Sequence, residues 1–325
     1  MIFNVLIVGA GNIASGYDEI SSDMFLTHAH AFKIHEGFNL VGFVDNNKEK
    51  ANSAAKKWKT RAFYTLESAF EFNSRIDVYC IAVPDNLHYD FLKRVYDLNP
   101  KLVFSEKPLT QTLSESLEIK DLYEKKQIPL MVNFKRSFIP EFIQLGNEIK
   151  EGKFGVFWDC FGYYNRGFRH NGSHLLDLFV RMTGINDLTL THLIDQICDY
   201  STSDPSYSFV AKSMNGSNFV LKSYDGELYP IFEMDLHFSE GRVRIIDAGE
   251  MIEIYRNKPS SFKGLAAIKR DLSISTSLNQ SLLFSAQNIF NHLAFGEEII
   301  SSVDEVIQTM RILEKIKVSI KKNYE

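Results

Sequence analysis

Residues 3–14 (FNVLIVGAGNIA) join a short apolar run to a turn rich in glycine, and the class of the first fold unit follows from this combination. The run Phe3–Val8 is short and contains several β-branched residues, which predicts a buried strand. Gly9, Gly11 and Ala14 follow it in the pattern GxGxxA. In this pattern the first glycine permits a tight turn, the second lets a phosphate group approach the backbone, and the alanine lets a helix pack against the strand.

The glycine turn therefore predicts a dinucleotide site at the start of a helix. Asn12 and Ile13 open that helix, and its unpaired N–H groups favour a pyrophosphate. Asp45 ends a second apolar run, Asn39–Val44, where an acidic side chain can bind a ribose 2′-hydroxyl and repel a 2′-phosphate. The sequence thus favours NAD over NADP as the cofactor. A strand–turn–helix corner that binds no ligand is the alternative interpretation.

The segment Ser15–Thr27 lengthens the spacing between Gly9 and Asp45 beyond the usual value of about 20 residues. We interpret this segment as an insertion above the cofactor end of the sheet. Two roles stay open for it: a surface loop, or a cover for the cofactor or the substrate.

Apolar runs and helical stretches alternate along the first part of the chain. Further strands are predicted for Asp77–Val83 and Leu102–Ser105. Helices are predicted for four segments: His28–His35, Lys48–Lys59, His88–Leu98 and Ser114–Lys126. Such alternation is typical of a parallel sheet covered on both faces, so the fold class is α/β.

The pattern changes from about residue 130 onward. Short β-rich runs are separated by Asn215-Gly216, Asp225-Gly226 and Glu240-Gly241, and Asn-Gly and Asp-Gly pairs are strong hairpin signals. An antiparallel meander is therefore predicted. Its strands are Ser208–Ser213, Asn218–Ser223, Leu228–Phe238, Arg242–Ile246 and Met251–Tyr255. Two helices are predicted to close the chain, Leu278–Leu293 and Ser302–Lys321, the second with Glu305 in a capping box.

The chain has 325 residues, of which 45% are hydrophobic and 24% charged, and its net charge is −5. This composition excludes a disordered chain, and the weak negative charge disfavours nucleic-acid binding. No apolar run approaches the roughly 18 to 20 residues of a membrane-spanning helix, so no membrane contact is predicted. Cys80, Cys160 and Cys198 are too few and too far apart for a disulfide framework, which favours a reducing cytoplasm.

Three further motifs follow the predicted strands. Ala82–His88 (AVPDNLH) follows the third strand, Glu106-Lys107-Pro108 follows the fourth, and His170–Asp177 (HNGSHLLD) lies in the second part of the chain. With the glycine turn, these motifs resemble the Gfo/Idh/MocA oxidoreductases, the glucose–fructose oxidoreductase and inositol dehydrogenase family. The resemblance covers essentially the whole chain in order.

The resemblance implies an NAD-binding Rossmann domain at residues 1–130. Residues 131–325 would form a substrate-binding and oligomerisation domain with a large, mostly antiparallel open sheet, and the helix at 302–321 would pack back on the Rossmann domain. Family members mostly transfer hydride between nicotinamide and a secondary alcohol of a sugar, cyclitol or nucleotide-linked sugar. The implied partners are therefore such a substrate and further copies of this chain, in a homodimer or homotetramer formed through the sheet.

By resemblance, Lys107 is the catalytic lysine and His174 is its partner histidine. A lysine is a poor base at its reference pKa of about 10.4, whereas a histidine with a reference pKa near 6.5 exchanges protons near neutrality. We therefore expect His174 to be the acid/base, and Lys107 to orient the substrate and polarise its oxygen. Pro108 is expected to follow a cis peptide bond.

Cofactor contacts are also expected from the other motif residues. Glu106 is expected to order the loop that holds Lys107, and Pro84 to lie at the cofactor. His88 either supports the cofactor loop or is a helix-start residue bonded to the backbone.

His170 occupies a position at which the family commonly shows Asp, four residues before the histidine. His170, His174 and Asp177 would share one helical face and could hold zinc. However, Asn171-Gly172 is expected to interrupt the helix, with Ser173 as the N-cap of a new one, so no metal is predicted. His170 and Asp177 are instead expected to contact the substrate.

Arg136, Arg166 and Arg169 flank this motif. Arginine pairs bidentately with phosphate or carboxylate, so an anionic substrate is one hypothesis, and a solvated rim of arginines is the other. Two further functions stay open, a non-catalytic NAD-binding regulator or sensor and an NAD-dependent glycoside hydrolase.

Overall fold

The computed structural model describes residues 1–262 and 264–324. Its strands are β1 (Phe3–Val8), β2 (Phe38–Val44), β3 (Arg61–Phe63), β4 (Val78–Ile81), β5 (Leu102–Ser105), β6 (Leu130–Val132), β7 (Phe157–Tyr164), β8 (Leu188–Ser201), β9 (Asp204–Ser213), β10 (Asn218–Ser223), β11 (Phe232–Phe238), β12 (Gly241–Ile246), β13 (Met251–Pro259) and β14 (Ala266–Ser275). Its helices are α1 (His28–Ile34), α2 (Lys48–Lys57), α3 (Leu66–Phe72), α4 (His88–Asp97), α5 (Leu113–Lys125), α6 (Pro140–Lys150), α7 (Ser173–Thr183), α8 (Ser281–Phe295) and α9 (Val303–Tyr324).

The chain divides into two compact units that are not continuous in sequence. The first consists of Met1–Phe138 with Asn279–Ile307, and the second of Ile139–Leu278 with the chain from Gln308 onward. The functional border near residue 130 stays a prediction. The compact units differ from it in that residues 131–138 and 279–307 group with the first unit.

Within the described residues of the first unit, six strands form a parallel sheet in the order β3–β2–β1–β4–β5–β6. The strand order reverses between β1 and β4, and ligands of open α/β sheets bind at the carboxyl ends of the strands at such a point. Gly9 follows β1 and Ala82 follows β4. The sheet therefore brings two of the predicted motifs to its switch point.

The apolar core of the first unit explains why a late part of the chain belongs to it. Leu282, Ala286 and Ile289 of α8 are buried in the same cluster as Phe3 and Val5. Burying an aliphatic or aromatic side chain of this size contributes roughly 1.5–3 kcal/mol. Helix α8 thus covers one side of the parallel sheet.

Two helix starts show how local sequence sets the bounds. At α9 the predicted capping box is confirmed, because Glu305 N–H donates to Ser302 Oγ at 3.4 Å and Ser302 N–H to Glu305 Oε2 at 3.0 Å. At α5 the predicted opening at Ser114 is wrong. Thr112 is the cap, and it forms a reciprocal capping box with Glu115. Thr112 and Ser114 lie two residues apart, and both are residue types that cap helices. Thr112 is the cap because Glu115, three residues later, accepts a hydrogen bond from its backbone N–H.

In the described part of the second unit, eight strands form a mostly antiparallel sheet in the order β14–β13–β12–β11–β7–β10–β9–β8. The predicted fold class is therefore confirmed. The alternation along β11 is also confirmed: Met234 and Leu236 are buried, while Glu233 and Asp235 are half-buried. Along β11, the other face of the sheet thus carries polar side chains.

One predicted hairpin is wrong. The turns at Asn215-Gly216 and Glu240-Gly241 join antiparallel neighbours, β9 with β10 and β11 with β12. Asp225-Gly226, however, joins β10 to β11, and these strands do not pair, because β7 lies between them and bonds to both. A strand from earlier in the chain thus overrides a local turn signal.

None of the helices in residues 1–262 and 264–324 combines the length and the apolar character needed to span a bilayer.

Candidate active site

The glycine turn of the first unit has the geometry that its sequence predicts. Gly9 has a φ of +106°, and a Cβ there would lie 2.3 Å from the Ala82 carbonyl oxygen, so only glycine fits. A Cβ on Gly11 would meet no atom within 4 Å, which leaves open space above the backbone. Ala14 is fully buried. This space fits the close approach of a ligand phosphate.

The helix expected after the glycine turn is shorter than predicted. Residues Asn12–Gly16 form a single π-helical turn, and α1 begins only at His28. The insertion between them is fixed by the buried Asp18, whose carboxylate accepts hydrogen bonds from Leu26 N–H at 2.6 Å and from His30 Nδ1 at 2.9 Å. The polar insertion therefore separates the π-helical turn from α1, and the Asp18 hydrogen bonds hold it in place.

Asp45 lies at the rim of a cavity of about 340 Å³ at the switch point. Its carboxylate accepts hydrogen bonds from Ala10 N–H and Asn47 N–H, both at 2.9 Å. The cavity is lined by the glycine turn, the ends of β2 and β4 and nearby side chains: Gly9, Ala10, Gly11, Val44, Asp45, Asn46, Lys50, Tyr64, Thr65, Leu66, Ala82, Val83, Pro84, Leu87, Phe91 and Arg94. An apolar cavity with one carboxylate beside a glycine turn fits the adenosine half of a dinucleotide.

Glu106-Lys107-Pro108 begins directly after β5, on the same sheet edge as the glycine turn. The expected cis bond is present between Lys107 and Pro108. Glu106 is buried, and its Oε1 accepts hydrogen bonds from His28 Nε2 at 2.7 Å and Asn133 Nδ2 at 2.6 Å. Its Oε2 accepts the Lys107 backbone N–H at 3.3 Å. The carboxylate thus joins the segment that carries Lys107 to α1 and to the chain after β6.

The contact between His28 and Glu106 is a buried ion pair. Burial alone would lower the pKa of His28, but the Cys80 sulfur and the Glu106 carboxylate outweigh it and raise this pKa to about 10. Burial likewise opposes the charge on Glu106, but hydrogen bonds from His28 and Asn133 and the Lys107 charge hold its pKa below the usual value. At neutral pH these shifts favour an imidazolium that faces a carboxylate, next to the Lys107 backbone N–H.

His88 connects two loops of this edge. Its ring nitrogens lie 2.7 Å from the Pro108 carbonyl oxygen and 3.0 Å from the Val83 carbonyl oxygen. The histidine opens α4 and is almost completely buried. It is thus bonded to the backbone, as one of its two expected roles requires, and these bonds tie the loop after β4 to the loop after β5.

In the second unit, His174 lies buried near the start of α7. The expected break at Asn171-Gly172 is wrong, because Phe168–Gly172 is a π-helical turn that runs directly into α7, and Ser173 is not its cap. A Cβ on Gly172 would lie 2.8 Å from the Phe168 ring, so this glycine serves close packing.

Asp204 of β9 anchors the turn before α7. Its carboxylate accepts hydrogen bonds from the backbone N–H groups of Arg169 at 2.8 Å and His170 at 2.9 Å. The His170 ring stacks on Tyr200 of β8, with ring centroids 4.4 Å apart and planes 14° from parallel. The carboxylate that anchors this turn therefore comes from β9 and not from the motif itself.

The three arginines differ in environment. Arg136 of the first unit is buried, and burial lowers its pKa to about 9. In the second unit, Arg169 is half-buried and Arg166 is exposed. A solvated rim therefore describes Arg166 but does not describe Arg136.

The motif residues considered for zinc have other contacts. Asp177 accepts a hydrogen bond from Arg181 Nε at 2.9 Å, and His170 stacks on Tyr200. Across the residues that the structure describes, no group of three or more His, Cys, Asp or Glu side chains is arranged to hold a metal ion.

Comparison with known proteins gives matches at two levels. Residues 3–134 match the family model GFO_IDH_MocA, described as "Oxidoreductase family, NAD-binding Rossmann fold". The scyllo-inositol 2-dehydrogenase (NAD(+)) of Bacillus subtilis is 29% identical over 124 residues, which cover 37% of this chain and 34% of that protein. The matched stretches span only about a third of the curated relatives, 29% to 34% of their length.

Solved structures match over nearly the whole chain. UDP-N-acetylglucosamine 3-dehydrogenase GnnA from Acidithiobacillus ferrooxidans has a TM-score of 0.72 at 14% identity and covers 98% of this chain and 97% of its own. The super-repressor mutant of Gal80p from Saccharomyces cerevisiae has a TM-score of 0.76 at 13% identity, with coverages of 99% and 96%. At such identities these structures share the fold alone. The likeness to the Gfo/Idh/MocA oxidoreductase family is therefore a match of residues 3–134 to its NAD-binding Rossmann model.

Proposed function

We propose that the protein is an NAD-dependent oxidoreductase that transfers hydride between nicotinamide and a secondary alcohol of a sugar or nucleotide-linked sugar. One observation carries the proposal: the glycine turn, with open space above Gly11, and the ordered Glu106-Lys107-Pro108 segment lie on the same edge of one parallel sheet. The family of the N-terminal domain supports it.

The proposed roles of the catalytic residues follow from their chemistry. The bound nicotinamide supplies the acceptor or donor of hydride. Lys107, as an ammonium group, orients the substrate and polarises its oxygen, where charge develops in the transition state. His174 takes the alcohol proton during oxidation and returns it during reduction, because an imidazole exchanges protons near neutrality.

The proposed preference for NAD rests on Asp45 at the cavity rim. Its carboxylate is held by two backbone N–H groups and can still accept a bond from a ribose hydroxyl, because each oxygen has two acceptor sites. A 2′-phosphate at the same place would face a negative charge. Arg94, which also lines the cavity, is paired with Glu67 at 2.8 Å. Lys50 lines the cavity as well, so the proposed preference for a hydroxyl over a phosphate rests on the Asp45 carboxylate alone.

Replacing Asp45 by Asn is expected to lower the NAD⁺/NADP⁺ affinity ratio about tenfold. The amide oxygen keeps an acceptor for Ala10 N–H, but the charge that repels a 2′-phosphate is removed, and a tenfold change corresponds to about 1.4 kcal/mol. Fluorescence titration with both dinucleotides measures the ratio. Glu49→Gln is the matched control, since Glu49 is an exposed acid in the first turn of α2. A ratio equal in the parent and in Asp45→Asn would contradict the assignment.

We also propose that the substrate is anionic, such as a nucleotide-linked sugar or a sugar acid. Arg136, Arg166 and Arg169 would bind its charge, and His170 and Asp177 would contact its sugar part. The chemistry of arginine supports this proposal, because its guanidinium pairs bidentately with phosphate or carboxylate.

A panel of cyclitols, neutral sugars, sugar acids and nucleotide sugars tests the function and the substrate class together. With NAD⁺ present, the parent is expected to produce NADH most efficiently from an anionic member. The double variant Arg166→Ala/Arg169→Ala is expected to lose about tenfold or more in kcat/KM for that substrate and to change little for neutral ones. Arg256→Ala/Arg311→Ala is the control, because it also removes one half-buried and one exposed arginine of the second unit.

Other outcomes of the panel identify the competing functions. Equal use of neutral and anionic members by the parent and the Arg166→Ala/Arg169→Ala variant would overturn the anionic substrate. NAD binding without turnover of any member would favour a regulator. The super-repressor mutant of Gal80p from Saccharomyces cerevisiae has the same fold as this chain. Release of free sugar without net NADH would identify glycoside cleavage.

We propose that the chain forms a homodimer or homotetramer through the open face of its antiparallel sheet. This face carries aromatic and charged side chains, including Phe161 with His237 and the ion pair of Asp235 with Arg242.

The thiols of Cys80, Cys160 and Cys198 are free, which supports a location in the reducing cytoplasm.

A further inference from the structure

A buried charge network adjoins the Lys107 backbone in the first unit. His28 of α1 is fully buried, and its Nε2 lies 2.7 Å from Glu106 Oε1. The ring packs edge-on against Phe104, with centroids 5.1 Å apart, and Cys80 of β4 faces it as well. With apolar neighbours and no solvent around it, this imidazolium has Glu106 as its counter-ion.

The Glu106 carboxylate is shared between this network and Lys107. Its Oε1 accepts from both His28 and Asn133, and its Oε2 accepts the Lys107 backbone N–H. The Lys107 charge also helps to hold the pKa of Glu106 below its usual value. The groups that face Glu106 are therefore His28 from α1, Asn133 from the chain after β6 and Lys107 from its own segment, while Cys80 from β4 faces His28.

The charge on His28 alters the electrostatic stabilisation of the Lys107 ammonium form. A carboxylate within a few ångströms of a lysine stabilises the ammonium form and makes the proton harder to release. A second cation on the far side of the carboxylate offsets that effect. The hydrogen bonds of His28 and Asn133 also fix Oε1 of this carboxylate, while its Oε2 accepts the Lys107 backbone N–H.

We propose that His28 is a positioning residue for Lys107: it holds the Glu106 carboxylate in place and offsets its charge, so that Lys107 releases its proton more readily than beside a lone carboxylate. This proposal rests on the proposed function in one respect, namely that Lys107 acts on the substrate. It goes beyond that function because His28 lies in α1, after the insertion, and is linked to Lys107 through the Glu106 carboxylate.

The variant His28→Gln tests the proposal in the full chain. The glutamine amide can still donate to Glu106 but carries no charge. The midpoint of the Lys107 titration is expected to rise by about one pH unit, measured by NMR of ¹³C-methylated lysines with Lys107→Arg to assign the signal. The upper limb of the kcat/KM pH profile, where the Lys107 ammonium loses its proton, is expected to move in the same direction. Glu106→Gln is expected to move the Lys107 midpoint the opposite way.

His30→Gln is the matched control. His30 lies two residues further along α1, is equally buried, and pairs with the Asp18 carboxylate at 2.9 Å. Its replacement removes a buried hydrogen bond between a histidine and a carboxylate without touching Glu106, so the Lys107 midpoint is expected to stay unchanged. Equal shifts in both variants, or none in His28→Gln, would overturn the proposal.

Two further outcomes keep the test decisive. If His28→Gln does not fold, ¹⁵N NMR of the parent decides: His28 protonated at both ring nitrogens well above pH 6.5, the ordinary pKa, supports the proposal, and a neutral ring overturns it. If the parent transfers no hydride, the proposed function fails, whereas the Lys107 titration still supports or overturns the role of His28.

Discussion

A Lys107→Met chain is expected to bind NAD with nearly unchanged affinity and to lose hydride transfer by a factor of about 10²–10³ in kcat. Methionine keeps the apolar stem and length of the lysine but removes the ammonium that polarises the substrate oxygen. Losing one preorganised electrostatic contact to developing charge costs about this much in other enzymes. Steady-state NADH production, together with fluorescence titration of NAD, separates the loss of chemistry from a loss of binding.

Lys101→Met is the control for this substitution. Lys101 lies just before β5, at the opposite end of the strand that Lys107 follows, and its ammonium pairs with Asp77 at 2.9 Å in an exposed position. It is expected to change kcat less than twofold, because an exposed ion pair contributes at most about 1 kcal/mol to stability and none to the reaction. A Lys107→Met chain that keeps most of its activity would remove Lys107 from the mechanism.

A Gly9→Ala chain is expected to lose several kcal/mol of its free energy of unfolding and to bind NAD poorly if it folds. Alanine rarely adopts the φ of +106° found here, and its Cβ would lie 2.3 Å from the Ala82 carbonyl oxygen. The strain costs about 1–3 kcal/mol, and the overlap adds about as much, because both β1 and β4 are buried backbone that cannot give way. Urea unfolding measures the loss.

The control for Gly9→Ala is Gly296→Ala in the same unit. Gly296 ends α8 with a φ of +74°, but a Cβ there would meet no atom within 4 Å. Only the backbone strain remains, and the expected cost is about 1 kcal/mol. Similar losses at both positions would show that the contact with Ala82 is not the cause, and that the turn after β1 can widen.

The parts of the fold that sequence reveals are those fixed by neighbouring residues. Phe3–Val8 and Leu102–Ser105 are predicted with the bounds that β1 and β5 have, because a short apolar run between polar turns can be buried in few other ways. Strand β7 is missed although it is the centre of the second sheet. Its pairing is parallel with β10 and antiparallel with β11, more than 50 residues away in sequence, and no local pattern encodes such partners.

The same distinction applies to the candidate site. Gly9 and Asp45 are found from sequence because a turn and a strand end carry their role locally. His28 and Asp204 are missed, because their partners are remote: His28 meets Glu106 across 78 residues, and Asp204 meets His170 across 34. Neither residue type signals such a contact, since buried histidines and aspartates at element starts occur for many reasons.

The place of α8 has a consequence for the synthesis of the chain. Phe290 of α8 contacts the rings of Phe3 and Phe38, with centroids 6.1 Å from each. Strand β1 is the first to leave the ribosome. It therefore lacks one of its packing partners until α8 is translated, some 280 residues later. At typical rates of about 5–20 residues per second, one side of the cofactor domain stays apolar and uncovered for many seconds. The nascent chain is expected to need chaperone protection during that interval, until α8 emerges and closes the core.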